Sequence, residues 1–380
     1  MDFLQLNHTA LLTLRNQYCF GNPTVSALVN TLIEQANAEL QKKPYTVTDK
    51  THSAPGGDFR DYTSIGPYWW PNPDKPDGRP YIRRDGYINP DFYNSSRFDR
   101  CRLEELSETL QTLSATYFYT GNQVYRTKAS DFIHTWFLEE RTRMNPHLQY
   151  AQCIPGICDG RDIGIIDTYY LIDILDSILL VEFEDMAGIR MWVSDYLDWL
   201  LTSKNGKGED SQHNNHGLWY DAQVLQYALF CGREDIIPHR IESITKKRLD
   251  AQIAPDGSLP EELARTRSFL YSVFAARAII LTAKAAEKRG LDLWQYKTGN
   301  GSGIRDIFDF MLPYFEKTKN WTWQQLDPIQ YGNWVNIFGF AYEVYDDETY
   351  RDIVEKIWQE HPEYAIVKLL PATVGLTFTR

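Results

Sequence analysis

Apolar residues recur at helical spacing over most of the chain. Residues 24–42 place Val25, Leu28, Leu32, Ile33 and Ala36 on one face, the signature of an amphipathic helix. From Arg97 onward the same period dominates. Leu103, Leu106, Leu110 and Leu113 form a stripe that runs into Tyr117-Phe118-Tyr119 and stops at Thr120-Gly121; Tyr125, Ala129, Phe132, Ile133, Trp136 and Phe137 follow. The arrangement returns at 227–232, followed by 236–249, and again at 340–345, followed by Tyr350, Ile353, Ile357 and Trp358. Each is a helix, a short turn containing Gly or Asp, and a returning helix. Further helical periods cover 163–181, 187–201, 268–288 and 303–315, and the one strand-like stretch is 373–379. Helix pairs repeated with few strands predict an all-α fold, either an open solenoid or a closed ring of hairpins, the (α/α) toroid. Irregular element lengths favour the ring, and the chain reads as one domain over 1–380.

Two stretches interrupt the pattern. Residues 53–90 hold many of the glycines and prolines together with Tyr62, Tyr68, Trp69, Trp70, Tyr81 and Tyr87. A loop of this length is functional or disordered, and disordered segments are poor in aromatics, so an ordered lid or cleft wall is expected. The second break is the polar, Gly-rich stretch 204–212, read as a loop. It leads into Asn214-Asn215-His216-Gly217-Leu218-Trp219-Tyr220-Asp221, which opens an apolar-periodic run. An amide pair and a histidine thus fall on the first turn of a helix, where unpaired N–H groups and the dipole favour negative charge. The plain alternative is an Asn cap beside a structural histidine.

Composition narrows the partners. The 380 residues carry a net charge of −12, which argues against nucleic acid, because phosphate binding needs a basic face. A local Arg cluster can still receive an anionic ligand. Aromatic residues make up 14%, a supply of flat amphipathic rings suited to sugar faces. Cys19, Cys101, Cys153, Cys158 and Cys231 show no metal-ligand spacing. No run of eighteen apolar residues suggests a membrane span, and the N-terminus lacks the basic start and apolar block of a signal peptide. The chain is then cytoplasmic, or a mature form from which a leader was removed.

Three polar groups can carry chemistry: Asn215-His216, the stretch 260–271 with Glu261, Glu262, Arg265, Arg267 and Tyr271, and the stretch 144–167 with Gln152 and Arg161. A neutral imidazole, an amide, a guanidinium and a phenol together suit β-elimination in a uronic acid polymer. A base takes the C5 proton, and the C4 oxygen leaves with a proton from an acid. Donors aimed at the neighbouring carboxylate stabilise the enolate-like state. No metal or cofactor is needed. His213 and His216, three apart, lack further ligands for a metal site. A glycoside hydrolase using Asp58, Asp61, Asp159 or Asp167 is the first alternative. A non-catalytic carbohydrate-binding protein is the second; it accounts for Trp69 and Trp70 but not for His216, Arg265 and Tyr271 together.

Asn-Asn-His-Gly at 214–217, Leu259-Pro260-Glu261-Glu262-Leu263-Ala264-Arg265 with Tyr271 beyond it, and the Tyr68-Trp69-Trp70-Pro71 segment resemble the alginate lyase superfamily. Within it the chain is most similar to polysaccharide lyase family 38, with family 5 more distant. The resemblance implies an (α/α) toroid acting on an anionic polysaccharide, alginate or a related polyuronate. It also implies a periplasmic or secreted place, with any leader removed. Asn215 and Arg265 would neutralise the uronate carboxylate. Tyr271 would be the catalytic acid, and the base as well when proton and leaving oxygen share a face of the ring. His216 would be the base when they do not, or a second neutralising group otherwise. Tyr68, Trp69, Trp70, Gln152 and Arg161 would line sugar subsites, with Asn214 and Arg267 also near substrate. Arg265 stands six residues before Tyr271 and Arg267 four, so which guanidinium faces the carboxylate stays open at this level.

Overall fold

The structure is a computed structural model that describes residues 2–361 and 369–370; the strand expected at 373–379 lies outside them. Among the described residues helix dominates, and the strands are two to four residues long. The chain, read as one domain from sequence, divides into two compact units. One comprises residues 1–14 with 211–380, the other residues 15–210. A helix with no strong sequence signal, α1 (His8–Cys19), buries only Leu11 and runs across the division.

In the 15–210 unit, α2 (Pro23–Glu39) starts at a proline, with the Asn22 side chain accepting the Val25 N–H. The long α3 (Arg100–Thr120) buries the whole predicted stripe of Leu103, Leu106, Leu110 and Leu113. It ends where Gly121 takes the left-handed conformation (φ 68°), and Asn122 at once caps α4 (Gln123–Phe137). All six apolar positions predicted for α4 are buried. The segment 163–181 is helical in two parts. A 3₁₀ stretch (Asp162–Tyr170) packs against a strand, and α5 (Leu171–Leu180) packs against α3. α6 (Met186–Thr202) follows.

The expected loop at 204–212 is instead largely helix, α7 (Lys204–Asp210). Ser203 Oγ accepts the Gly206 N–H at 2.9 Å, which starts the turn. Gly206 lies so close to the Leu200 backbone that no Cβ fits. Its glycine serves close packing, and that tertiary contact overrides the low helix propensity of the segment.

Short strands organise the aromatic stretch. β1 (Thr63–Ile65) runs parallel to the later strand at Tyr150–Cys153, with Thr63 opposite Tyr150. β2 (Trp69–Trp70) pairs antiparallel with β3 (Ile82–Arg83), Trp69 opposite Arg83; the 150–153 strand is β4. A fully buried Lys50 anchors this region. Its ammonium donates to the carbonyls of Val47, Phe59 and Asp61 at 2.7–2.9 Å and to Asp99 Oδ2 at 2.9 Å. Asp99 also accepts the Thr63 N–H, which ties β1 to the start of α3.

The other unit is built on α8 (Asn215–Cys231), closed by Gly232 in the left-handed conformation. Next come α9 (Ile236–Arg240), one π-turn (Ile241–Thr245) and α10 (Lys246–Gln252). A π-turn inserts one residue. Arg240 and Arg248, eight apart, therefore behave as about seven apart and fall within roughly 20° of one another. Both reach the buried Asp221 of α8, Arg240 Nη2 and Arg248 Nη1 each at 2.5 Å. The short α11 (Pro260–Leu263) precedes α12 (Ser268–Glu287). By length and composition alone α12 is long and apolar enough to cross a membrane; in this unit it is mostly buried, packed on α8, α11 and α14 (Val335–Tyr345). Trp219 of α8 and Phe274 of α12 meet at 4.8 Å between ring centroids. Between α12 and α14 lies α13 (Ile304–Phe315), and after α14 the left-handed Asp346 and the cap Asp347 open α15 (Glu348–Glu360). The helix, αL residue and returning helix pattern is thus present at the repeats the sequence marks.

Replacing Lys50 with Met takes one of two cations from the buried Asp99, whose Oδ1 keeps Arg102 Nη1 at 3.0 Å, and removes the donor shared by three backbone carbonyls. Urea denaturation should show a loss of about 3–5 kcal/mol; a loss under about 1 kcal/mol would mean that Asp99 is not held this way.

Candidate active site

Asn214 is the N-cap of α8: its Oδ1 accepts the His216 N–H at 3.1 Å. The next residue, Asn215, is the first helical position and fully buried, while His216 and the end of Arg265 are half-exposed. Packing, more than dipole, fixes Asn215. Glu262 of α11, itself 1% exposed, accepts the Asn215 backbone N–H on Oε1 at 2.6 Å and the Asn215 Nδ2–H on Oε2 at 2.8 Å. A carboxylate buried this deeply resists ionisation, and burial pushes Glu262 up to about 7. The two Asn215 bonds and the charges of Arg265 and His216 oppose that rise. The other end of the same amide, Asn215 Oδ1, is buried with no hydrogen-bond partner.

The chain leaves α11 through residues 264–267, a turn rather than continuous helix, and this separates the two candidate arginines. Arg265 folds onto the first turn of α12. Its Nη2 donates to Tyr271 Oη at 2.9 Å, and its guanidinium carbon lies 3.9 Å from the Tyr271 ring centre. Arg267 is the N-cap residue of α12 and turns the other way, with Nε 3.0 Å from Asp327 Oδ2. Its backbone pairs with Gln325, and Phe269 N–H donates to Gln325 Oε1. Helical spacing would bring Arg267 to Tyr271; the turn brings Arg265 there instead. A phenol oxygen that receives a charged N–H bond can carry developing negative charge as its proton moves.

The unit of residues 15–210 holds a second constellation. Asp167 is buried and accepts from Ser64 Oγ at 2.5 Å, Tyr62 Oη at 3.2 Å and Gln152 Nε2 at 2.9 Å. Gln152, in the left-handed region at φ 47°, passes the orientation on: Arg161 Nη2 donates to its Oε1 at 2.8 Å and Arg161 Nε to its carbonyl at 3.1 Å. Both ends of the Gln152 amide are therefore used inside the protein. Arg161 stands 6.0 Å from the Trp69 ring, and a Cβ on Gly66 would collide with both, at 2.7 Å and 2.8 Å. Trp70 is set by its Nε1–H on the Tyr87 carbonyl and by Arg84 over its ring at 5.3 Å. Tyr68, Trp69 and Trp70 remain half-exposed.

The Asp residues weighed for hydrolysis are engaged elsewhere, apart from the exposed Asp159. Asp58 is held well below the usual carboxylate range by Arg60, and Asp61 binds Asn145 and His147. Among the described residues no three His, Cys, Asp or Glu side chains group as a metal site requires. Sequence reasoning missed the parts played by Glu262, Ser64 and Asp167. Glu262 had one faint signal, an acidic residue in register with the buried Leu259 and Leu263, but nothing local tells it from the exposed Glu261.

Comparison with known proteins covers the scaffold as well as these clusters. The model of the alginate lyase family matches residues 46–321. The crystal structure of an alginate lyase from Bacteroides ovatus superposes with a TM-score of 0.89 at 34% identity, covering 97% of this chain and 98% of that one. A variant of alginate lyase A1-III complexed with a tetrasaccharide gives a TM-score of 0.50 at 15% identity, over 83% of this chain and 88% of that one. Alginate lyase A1-III from Sphingomonas species A1 gives 0.45 at 17%, over 77% of each. No curated protein sequence matches significantly. The protein is an enzyme of the polysaccharide lyase class. Within that class the chain belongs to the alginate lyase family.

Glu262 has a stability signature. Its folded-state pKa of about 7 lies above the ordinary glutamate value of 4.5, so its favourable share is complete below pH 4.5 and is lost as pH rises through 7. Between pH 5 and 8, wild type should lose up to about 3 kcal/mol that Glu262→Gln does not lose. Urea unfolding at both pH values checks this, and parallel losses in the two proteins would contradict it.

Proposed function

We propose that the enzyme cleaves alginate or a related polyuronate by metal-independent β-elimination at the C4–O bond, leaving a 4,5-unsaturated uronate end. The observation that carries the reading is the Arg265–Tyr271 pair, a guanidinium bonded to a phenol oxygen in the same unit as a buried, oriented Asn215. Tyr271 gives the leaving oxygen its proton, and takes the C5 proton when both lie on one face of the sugar. His216 takes the C5 proton in the opposite geometry. Asn215 and Arg265 stabilise the carboxylate as charge flows into it. An alginate lyase at 34% identity over nearly the whole chain supports the substrate class.

The aromatic constellation is the sugar-binding part of this reading. Trp69, Trp70 and Tyr68 offer ring faces, and Arg161 offers charge to a uronate. Gln152 acts through Arg161 rather than by touching sugar. Asn214 acts as a helix cap, and Arg267 holds the 325–327 segment. The burial of α12 supports a core helix over a membrane span. A periplasmic or secreted location fits a polymeric substrate.

The test is near-ultraviolet absorbance during incubation with alginate, polymannuronate, polyguluronate and glucuronan in EDTA. Rising absorbance marks the new double bond. New reducing ends without it would mean hydrolysis, and loss of activity restored by added metal would overturn the metal-free route. Tyr271→Phe should lower turnover at least about 100-fold with an unchanged melting temperature; near-wild-type turnover would remove it from the chemistry. His216→Ala should reduce cleavage of one uronate epimer more than the other, and equal loss on both would leave it a neutralising group only.

A further inference from the structure

The orphaned end of the Asn215 amide points to a proton-linked step at this site. As drawn by its contacts, Glu262 is a carboxylate taking two N–H bonds from Asn215, so Nδ2 is spent on Glu262 and Oδ1 is left buried without a partner. A buried acceptor without a donor costs about 1–3 kcal/mol. It is also the wrong end of the amide to meet a substrate carboxylate, which needs donors. A neutral Glu262 removes both faults. Its Oε2–H can donate to Oδ1 once the amide turns over, while Oε1 keeps the Asn215 backbone N–H. The Nδ2 hydrogens then become available to the uronate.

We propose that binding of a uronate loads a solvent proton onto Glu262, and that the neutral acid turns the Asn215 amide to present its N–H groups to the substrate carboxylate. The inference rests on the reading of this cluster as the uronate site. Glu262 is then a positioning residue, acting through Asn215. No bond other than O–H is made, and the proton comes from water or buffer.

The surroundings are consistent with such a step. The charged and titratable groups facing Glu262 are Arg265 from the turn after α11 and His216 from α8. Glu261, on its own short helix, is exposed. Arg248 of α10, beside the next turn of α8, is already paired with Asp221. Burial, against the pull of the two Asn215 bonds, Arg265 and His216, holds the Glu262 proton up to about 7, so near neutral pH a second negative charge brought by the substrate completes the shift toward the acid.

The experiment is titration calorimetry of Tyr271→Phe with mannuronate and guluronate oligosaccharides at pH 8, in buffers of low and high ionisation enthalpy. The expected result is net uptake of roughly half to one proton per site. Adding Glu262→Gln, whose amide is a permanent neutral donor, should abolish the uptake and keep affinity within about threefold. In the otherwise wild-type enzyme, Glu262→Gln should keep cleavage and lose the fall in kcat/KM above pH 7, whereas Glu262→Ala should lose cleavage at every pH. Equal proton uptake with and without Glu262→Gln would overturn the proposal, as would identical pH profiles. If the wild-type enzyme leaves every uronate intact, the functional reading fails and this inference with it. If it cleaves them with no proton uptake on binding, this inference alone fails.

Discussion

The unit that carries the proposed site depends on the contact between Glu262 and Asn215. A carboxylate that deep in a protein is costly, and only donors within hydrogen-bond reach make it tolerable. Here the donors are the first backbone N–H of α8 and the amide beside it, so the contact joins two segments 47 residues apart. Its consequences run both ways along the chain. On one side it fixes where α8 begins, and hence where His216 stands. On the other it holds α11, from which the chain turns to set Arg265 on Tyr271. The helix packing beneath serves the same end: Asp221, clasped by Arg240 and Arg248, seats α8, and the close α8–α12 pairing seats Tyr271.

The unit of residues 15–210 meets a similar problem with similar means. Asp167 is another buried carboxylate, and its partners are again short-range donors: a hydroxyl, a phenol and a side-chain amide. The amide, Gln152, relays the orientation to Arg161, which borders Trp69. In both units a carboxylate inside the protein orients an amide, and the amide or its neighbour is what a sugar would meet. Such groups contribute little net stability when every bond is counted against water. What they supply is a single orientation for a side chain whose usefulness depends on which end faces out.

How much of this was legible in the sequence follows from the range of each interaction. Local signals were legible. The stripe of α3 and the six apolar positions of α4 depend on spacing within one helix, and the turns at Gly121, Gly232 and Asp346 depend on the φ preference of single residues. The stretch around Asn214 and Asn215 was readable for the same reason, as a cap and first turn. Long-range contacts left no trace. β1 and β4 lie more than eighty residues apart, so Thr63 opposite Tyr150 has no local signature. Gly208 looks like a loop residue until Asp162 is seen against it. The choice between Arg265 and Arg267 was open because spacing assumes a continuous helix. The chain instead breaks at 264–267, and the break sets Arg265 on Tyr271 and Arg267 on Asp327.

The net charge of −12 sits awkwardly with a polyanionic substrate until the charges are placed. Potential at a site is set by what lies within about a Debye length, roughly 8–10 Å at ordinary salt, and not by the sum over the molecule. Arg265, bonded to Tyr271, faces Glu262, an acid that burial holds toward its neutral form, while Arg265 itself cannot lose its charge. Beside Arg161 the buried acid is Asp167, enclosed by donors. Each constellation places its acid inward and its base outward. An acidic protein can in this way present local positive charge to an acidic polymer, since Glu262 and Asp167 are buried while Arg265 and Arg161 are not.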